Sequence, residues 1–127
     1  LRLLPGDGSL EMIDRIKKII GDERIKINPV GRISEASAVS STDSFAFDQV
    51  DEAIKESYPD VVSSPFLMIG ATDSRHLKEV SNNIFKFSPM FDPFGFHGID
   101  ERVSLESYQT SIFFFENLMR NTLQLKP

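Results

Sequence analysis

Two short stretches hold side chains able to do chemistry. Thr72-Asp73-Ser74-Arg75-His76 follows a mostly apolar run over 61–69, and Gly95-Phe96-His97-Gly98-Ile99-Asp100-Glu101 precedes the last helical pattern. Ligand sites in α/β proteins gather at the carboxyl ends of strands, so a polar cluster directly after an apolar run is a candidate site. Arg75 brings a planar fork of donors that matches a carboxylate. The same residues also read as a capped helix start, with Thr72 or Asp73 capping and Arg75 in a surface salt bridge. Spacing alone leaves both open. His97 lies between glycines that let the backbone approach another group closely, and Asp100 or Glu101 can hold the second ring nitrogen of a metal-bound imidazole. A zinc needs three or more protein ligands, so His97 as a plain turn residue is the other reading. His76, the second of two histidines, has Lys78 and Glu79 beside it and no metal-ligand spacing.

Composition narrows the classes. The chain has 127 residues, 40% of them hydrophobic with 11 Phe, which suffices for a folded core. A net charge of −5, with no basic run beyond Lys17-Lys18, argues against nucleic acid as a partner. No apolar stretch approaches the roughly 20 residues of a membrane span. Absence of Cys excludes disulfides, thiolate metal sites and thiol nucleophiles. There is no phosphate loop, no Gly-x-Ser-x-Gly and no His-Glu-x-x-His. The chain has neither an initial Met nor a signal-peptide start, so it is expected to begin within a longer protein.

The elements that must position these residues follow from periodicity. Leu1–Leu4 reads as a strand before the turn Pro5-Gly6-Asp7-Gly8. Ser9 is placed to cap a helix with Leu10, Ile13, Ile16 and Ile20 on its apolar face and Gly21 as its stop. Arg24–Val30 alternates like a half-buried strand, and Ser34–Ser44 reads as a connection. A second helix is expected with Phe47, Val50, Ile54 and Tyr58 on one face, ended by Pro59. Residues 61–69 and 84–87 read as strands, and Ser104 as the cap of a long helix with Leu105, Tyr108, Ile112, Phe115 and Met119 inward. The Phe113–Phe115 run fits a helix buried on more than one side. Alternating helices and strands give an α/β class, with an α+β first part.

In this order, "LRLLPGD" before an amphipathic helix, "GATDSRHL" after an apolar run, "FKFSPM" and "FHGIDERVSLESYQTSIFFFENLMRN" resemble one family. It is the zinc-dependent aminoacylase and carboxypeptidase S family of metallopeptidases, related to acetylornithine deacetylase and succinyl-diaminopimelate desuccinylase. "LPGD" alone is weak; "TDSR" followed by "HGIDER" is the specific pair. The resemblance implies that residues 1–33 are the last β-α-β of a ferredoxin-like lid or dimerisation domain, and 34–127 the C-terminal part of the catalytic domain. It makes His97 a metal ligand, Glu101 an acid that supports it, and Arg75 the holder of the substrate's free carboxylate, with Thr72 and Asp73 shaping its loop. The family often has Asn where this chain has Asp100.

The resemblance further implies two zinc ions in the intact enzyme, with cobalt or manganese as substitutes, a homodimer, and a peptide or N-acyl amino acid as substrate. The other ligands and the general base would lie upstream of Leu1, so no catalytic base is expected within this chain, which reads as an inactive fragment of a hydrolase. The alternative is a non-catalytic dimerisation or carboxylate-binding module. Half a lid sheet would expose an edge and an apolar helix face, so self-association through Leu1–Leu4 or Arg24–Val30 is expected.

Overall fold

A computed structural model describes residues 2–31, 33–68, 70 and 72–123. Its elements are α1 (Ser9–Ile20), α2 (Phe45–Ser57), a single 3-10 turn (Asp73–His76) and α3 (Leu105–Leu123). They belong to two compact units. The described residues of Leu1–Ser40 and Leu67–Asn82 form the first; those of Ser41–Phe66 and Asn83–Pro127 form the second.

In the first unit, α1 ends as its sequence predicts. Gly21 takes φ 61, a left-handed conformation open to a residue without Cβ, and its N–H closes on the Lys17 carbonyl. The start differs from expectation, because the N-cap is Gly8 and Ser9 is already helical. Ser9 gives both its N–H, at 3.0 Å, and its hydroxyl to the Glu35 carboxylate. A negative group from the connection thus meets the positive end of the helix dipole and satisfies an orphan donor. The half-buried face runs through Met12, Ile13 and Ile16, whereas Leu10 is 71% exposed.

In the second unit, α2 packs against α3. Ser44 caps α2 by accepting from Phe47 N–H at 3.2 Å, and Tyr58 before Pro59 closes it. Ile54 is buried, Val50 and Tyr58 pack beside it, and the Tyr58 hydroxyl donates to the Pro89 carbonyl. Ser104 caps α3 as expected, accepting from Ser107 N–H at 3.1 Å. Its buried side is not the expected one. Ser107, Ser111 and Phe114 are buried, while Leu105, Tyr108, Ile112, Phe115 and Met119 are exposed. The two stripes are offset by one residue, about 100° around the helix. The small Ser107 and Ser111 share the buried face with Phe114, which forms the core with Ala53 and Ile54 of α2 and lies 4.9 Å from the Phe87 ring. Shape, rather than apolarity, selects the face.

No β-ladder forms among the described residues over 2–4, 24–30, 61–68 or 84–87, where strands were expected. Leu1 and Ile69 lie outside the described residues. A strand exists through the hydrogen bonds of a partner, and alternation such as that of 24–30 names an apolar face without supplying that partner. Among the described residues the single pairing is an isolated antiparallel bridge between Phe94 and Arg102.

Candidate functional site

The candidate residues occupy two turns, one in each unit. In the first unit, Thr72 accepts from Ser74 N–H at 3.3 Å, its hydroxyl lies 2.6 Å from that of Ser74, and Arg75 N–H reaches the Thr72 carbonyl at 3.3 Å. Thr72 is thus the cap foreseen for this turn, which closes as a 3-10 helix over Asp73–His76. Thr72, Asp73, Arg75 and His76 are all exposed. Arg75 makes a bond other than the expected surface salt bridge: its Nε–H donates to His76 Nε2 at 3.1 Å.

In the second unit, the loop carrying His97 is closed at its base. Phe94 and Arg102 exchange both backbone hydrogen bonds, at 2.9 and 3.0 Å, and the Arg102 guanidinium lies 4.2 Å above the Phe94 ring. Cation–ring attraction and the reciprocal bonds hold the same two residues together. Arg102 also pairs with the Asp100 carboxylate, at 2.5 Å, and with its carbonyl, at 3.2 Å. Gly98 N–H returns to the Gly95 carbonyl at 2.8 Å. A Cβ on Gly98 would come within 3.1 Å of that carbonyl, so the flanking glycine permits the turn.

Three residues of this loop have positive φ: Gly95 at 77°, His97 at 58° and Asp100 at 65°. For residues with a Cβ this region costs about 1–2 kcal/mol, least for those with short polar side chains. Asp tolerates it better than most residues. His97 is exposed at the head of the loop. Neither His97 nor the exposed Glu101 is held by a hydrogen bond among the described residues, and Asp100 takes the Arg102 guanidinium rather than an imidazole.

Just before this loop, Asp92 accepts from Ser104 N–H at 3.4 Å and Phe91 N–H donates to Ser107 Oγ at 3.1 Å. The Ser104 hydroxyl, and to a lesser degree the Ser107 hydroxyl and the Ser104 N–H, hold the Asp92 carboxyl below its ordinary value. Residues 91–92 are thereby tied to the first turn of α3, and the His97 loop spans the interval between them. Sequence reasoning missed this tie and the Arg102 clamp. Arg102 left a usable signal, a cation two residues from Asp100; nothing in the pattern marks Asp92 or Glu35 as caps.

No group of three or more His, Asp or Glu side chains that could hold a metal forms among the described residues. Zinc takes three or four protein ligands, so the described residues do not by themselves make up a zinc centre. A groove of about 560 Å³ at the end of α1, between Lys17, Ile20, Ile25 and Lys26, contains none of the candidate residues. No described helix is long and apolar enough to cross a membrane.

Comparison with known proteins bears on the whole chain. It is similar to probable carboxypeptidase S-like 2 of Dictyostelium discoideum, 39% identical over 125 residues, covering 95% of this chain and 24% of that protein. It is similar to the N-fatty-acyl-amino acid synthase/hydrolase PM20D1.1 of Danio rerio, 28% identical over 116 residues, 87% of this chain and 22% of that protein. The human N-fatty-acyl-amino acid synthase/hydrolase PM20D1 is 26% identical over 126 residues, 94% of this chain and 25% of that protein. The chain spans about a quarter of the length of these relatives. No model of a protein family and no solved structure matches it.

Proposed function

From the premise that the chain belongs to the carboxypeptidase S-like family, we propose that it supplies the C-terminal part of a zinc-dependent hydrolase cleaving an amide bond next to a free carboxylate. The substrate would be a dipeptide or an N-acyl amino acid. The names of the relatives support this class, because a carboxypeptidase substrate and an N-fatty-acyl-amino acid share one feature, an amide beside a carboxylate. In this reading residues 1–33 belong to a lid or dimerisation domain that completes its sheet in the intact protein, 34–127 belong to the catalytic domain, and the enzyme is a homodimer.

The observation that carries the proposal is the His97 loop. A clamp of two backbone bonds and a stacked guanidinium closes the loop in which His97 and Asp100 hold left-handed backbone, a region that costs residues with a Cβ about 1–2 kcal/mol. Strain kept in place by surrounding contacts is what a positioned ligand requires. His97 would donate one ligand to zinc and Glu101 would stand beside it as a supporting acid. Zinc, when bound in such enzymes, polarises a carbonyl and lowers the pKa of water. Arg75 would bind and orient the substrate carboxylate, on a turn shaped by Thr72 and Asp73.

The role of Arg75 is tested by kinetics on the intact hydrolase with an N-acyl amino acid and its methyl ester. Arg75→Ala should raise KM at least tenfold for the acid, as expected for loss of a charge-assisted pair worth about 1.5–3 kcal/mol. It should change KM little for the ester. An equal effect on both would refute the assignment.

A further inference from the structure

The bond between Arg75 and His76 sets this arginine apart. Arg24, Arg102 and Arg120 each pair with a carboxylate close in sequence, Asp22, Asp100 and Glu116. Among the described residues Arg75 pairs with none, and its Nε–H instead donates to His76 Nε2 at 3.1 Å. The chemistry of the acceptor matters here. A carboxylate beside Arg75 would neutralise its charge and compete with an incoming carboxylate. A neutral ring nitrogen orients the guanidinium and leaves the positive charge intact.

We infer that His76 is a positioning residue for Arg75, engaging the Nε edge of the guanidinium and leaving the end-on Nη1/Nη2 pair for the substrate carboxylate. This rests on the reading of Arg75 as the carboxylate holder. The guanidinium is planar, so one anchored edge restricts the whole fork, and a pre-oriented fork loses less freedom when it binds. The backbone supports the pair. Arg75 N–H is fixed to the Thr72 carbonyl, Leu77 N–H to the Ser74 carbonyl at 3.0 Å, and Ser74 to the Thr72 hydroxyl. Thr72 and Ser74 thereby set the turn on which Arg75 and His76 follow one another. Because Nε2 accepts, the ring proton must be on Nδ1. That tautomer is a signature which a merely space-filling histidine would not need to show.

The experiment uses the intact protein of which this chain is part, 15N-labelled and freed of metal so that hippurate, a defined carboxylate probe, is bound and not cleaved. Long-range NMR correlations of the His76 ring should report the Nδ1–H tautomer in the wild type. The hippurate dissociation constant should rise about threefold to tenfold in His76→Leu, the span of one net hydrogen bond. It should return toward the wild-type value in His76→Gln, whose amide oxygen can accept from Nε. An Nε2–H tautomer, or wild-type binding by His76→Leu, overturns the inference. Hippurate binding that is absent, or that survives Arg75→Ala, overturns the carboxylate reading on which the inference rests, whatever the tautomer.

Discussion

Replacing Phe114 by Ala should unfold the second unit far more readily than replacing its neighbour Phe115. Phe114 is 2% exposed and forms the core with Ala53 and Ile54, and its ring lies 4.9 Å from Phe87 and 5.2 Å from Phe115. Truncating a buried Phe removes its transfer free energy and leaves a cavity, together about 3–5 kcal/mol. Phe115 is 48% exposed, so Phe115→Ala should cost about 1 kcal/mol. With a urea dependence of about 2 kcal/mol/M, the midpoint should fall by about 1.5–2.5 M for Phe114→Ala and about 0.5 M for Phe115→Ala. Near-ultraviolet circular dichroism is a selective probe, because both tyrosines, Tyr58 and Tyr108, belong to the second unit. Equal shifts for the two variants would refute the helix orientation. They would favour the stripe of Leu105, Tyr108, Ile112, Phe115 and Met119 as the inward face.

Two further outcomes follow from the turns and caps. The bonds from Ser9 hold the Glu35 carboxyl below its ordinary 4.5, so its contribution is present above that pH and is lost as pH falls through the lower folded value. Far-ultraviolet circular dichroism should show α1 fraying in that acid window, and Glu35→Gln should fray at neutral pH with the acid step removed. In the His97 loop, Gly95→Ala puts a Cβ at φ 77, 3.4 Å from the Asp100 carbonyl oxygen, and should cost about 1 kcal/mol in urea denaturation. His97→Gly should be close to neutral, since relief of the left-handed strain offsets the added freedom of the unfolded chain. A large loss for His97→Gly would show that the side chain packs rather than waits for a partner.

The sequence carried the local signals well and the pairings poorly. Gly21, Ser104 and the Tyr58-Pro59 stop were legible because each acts within a turn of its own position, whereas the Ser44 cap of α2 was read only as the end of a connection. The orientation of α3 was not legible, because periodicity marks apolar stripes without asking which one allows close approach. Ser107 and Ser111 decide that, and serines do not register as core in a hydrophobic pattern. The cap of α1 was missed for a related reason: Glu35 reaches Ser9 from 26 residues away. Strand expectations over 24–30 and 61–68 rested on alternation or apolar runs, which need a partner ladder to become strands. In the two candidate turns, the Thr72 cap was readable. The clamp of Phe94 and Arg102 and the link from Arg75 to His76 arise only once the backbone has folded.

The most direct test of His97 as a metal ligand is the zinc content of the intact protein purified with and without His97→Ala, read beside any hydrolysis of an N-acyl amino acid. The wild type should hold zinc and cleave the substrate, and His97→Ala should lose metal and activity together while its fold survives. A His97→Ala protein with full zinc and full activity, or a wild type with neither, would contradict the ligand assignment and return His97 to the role of a turn residue.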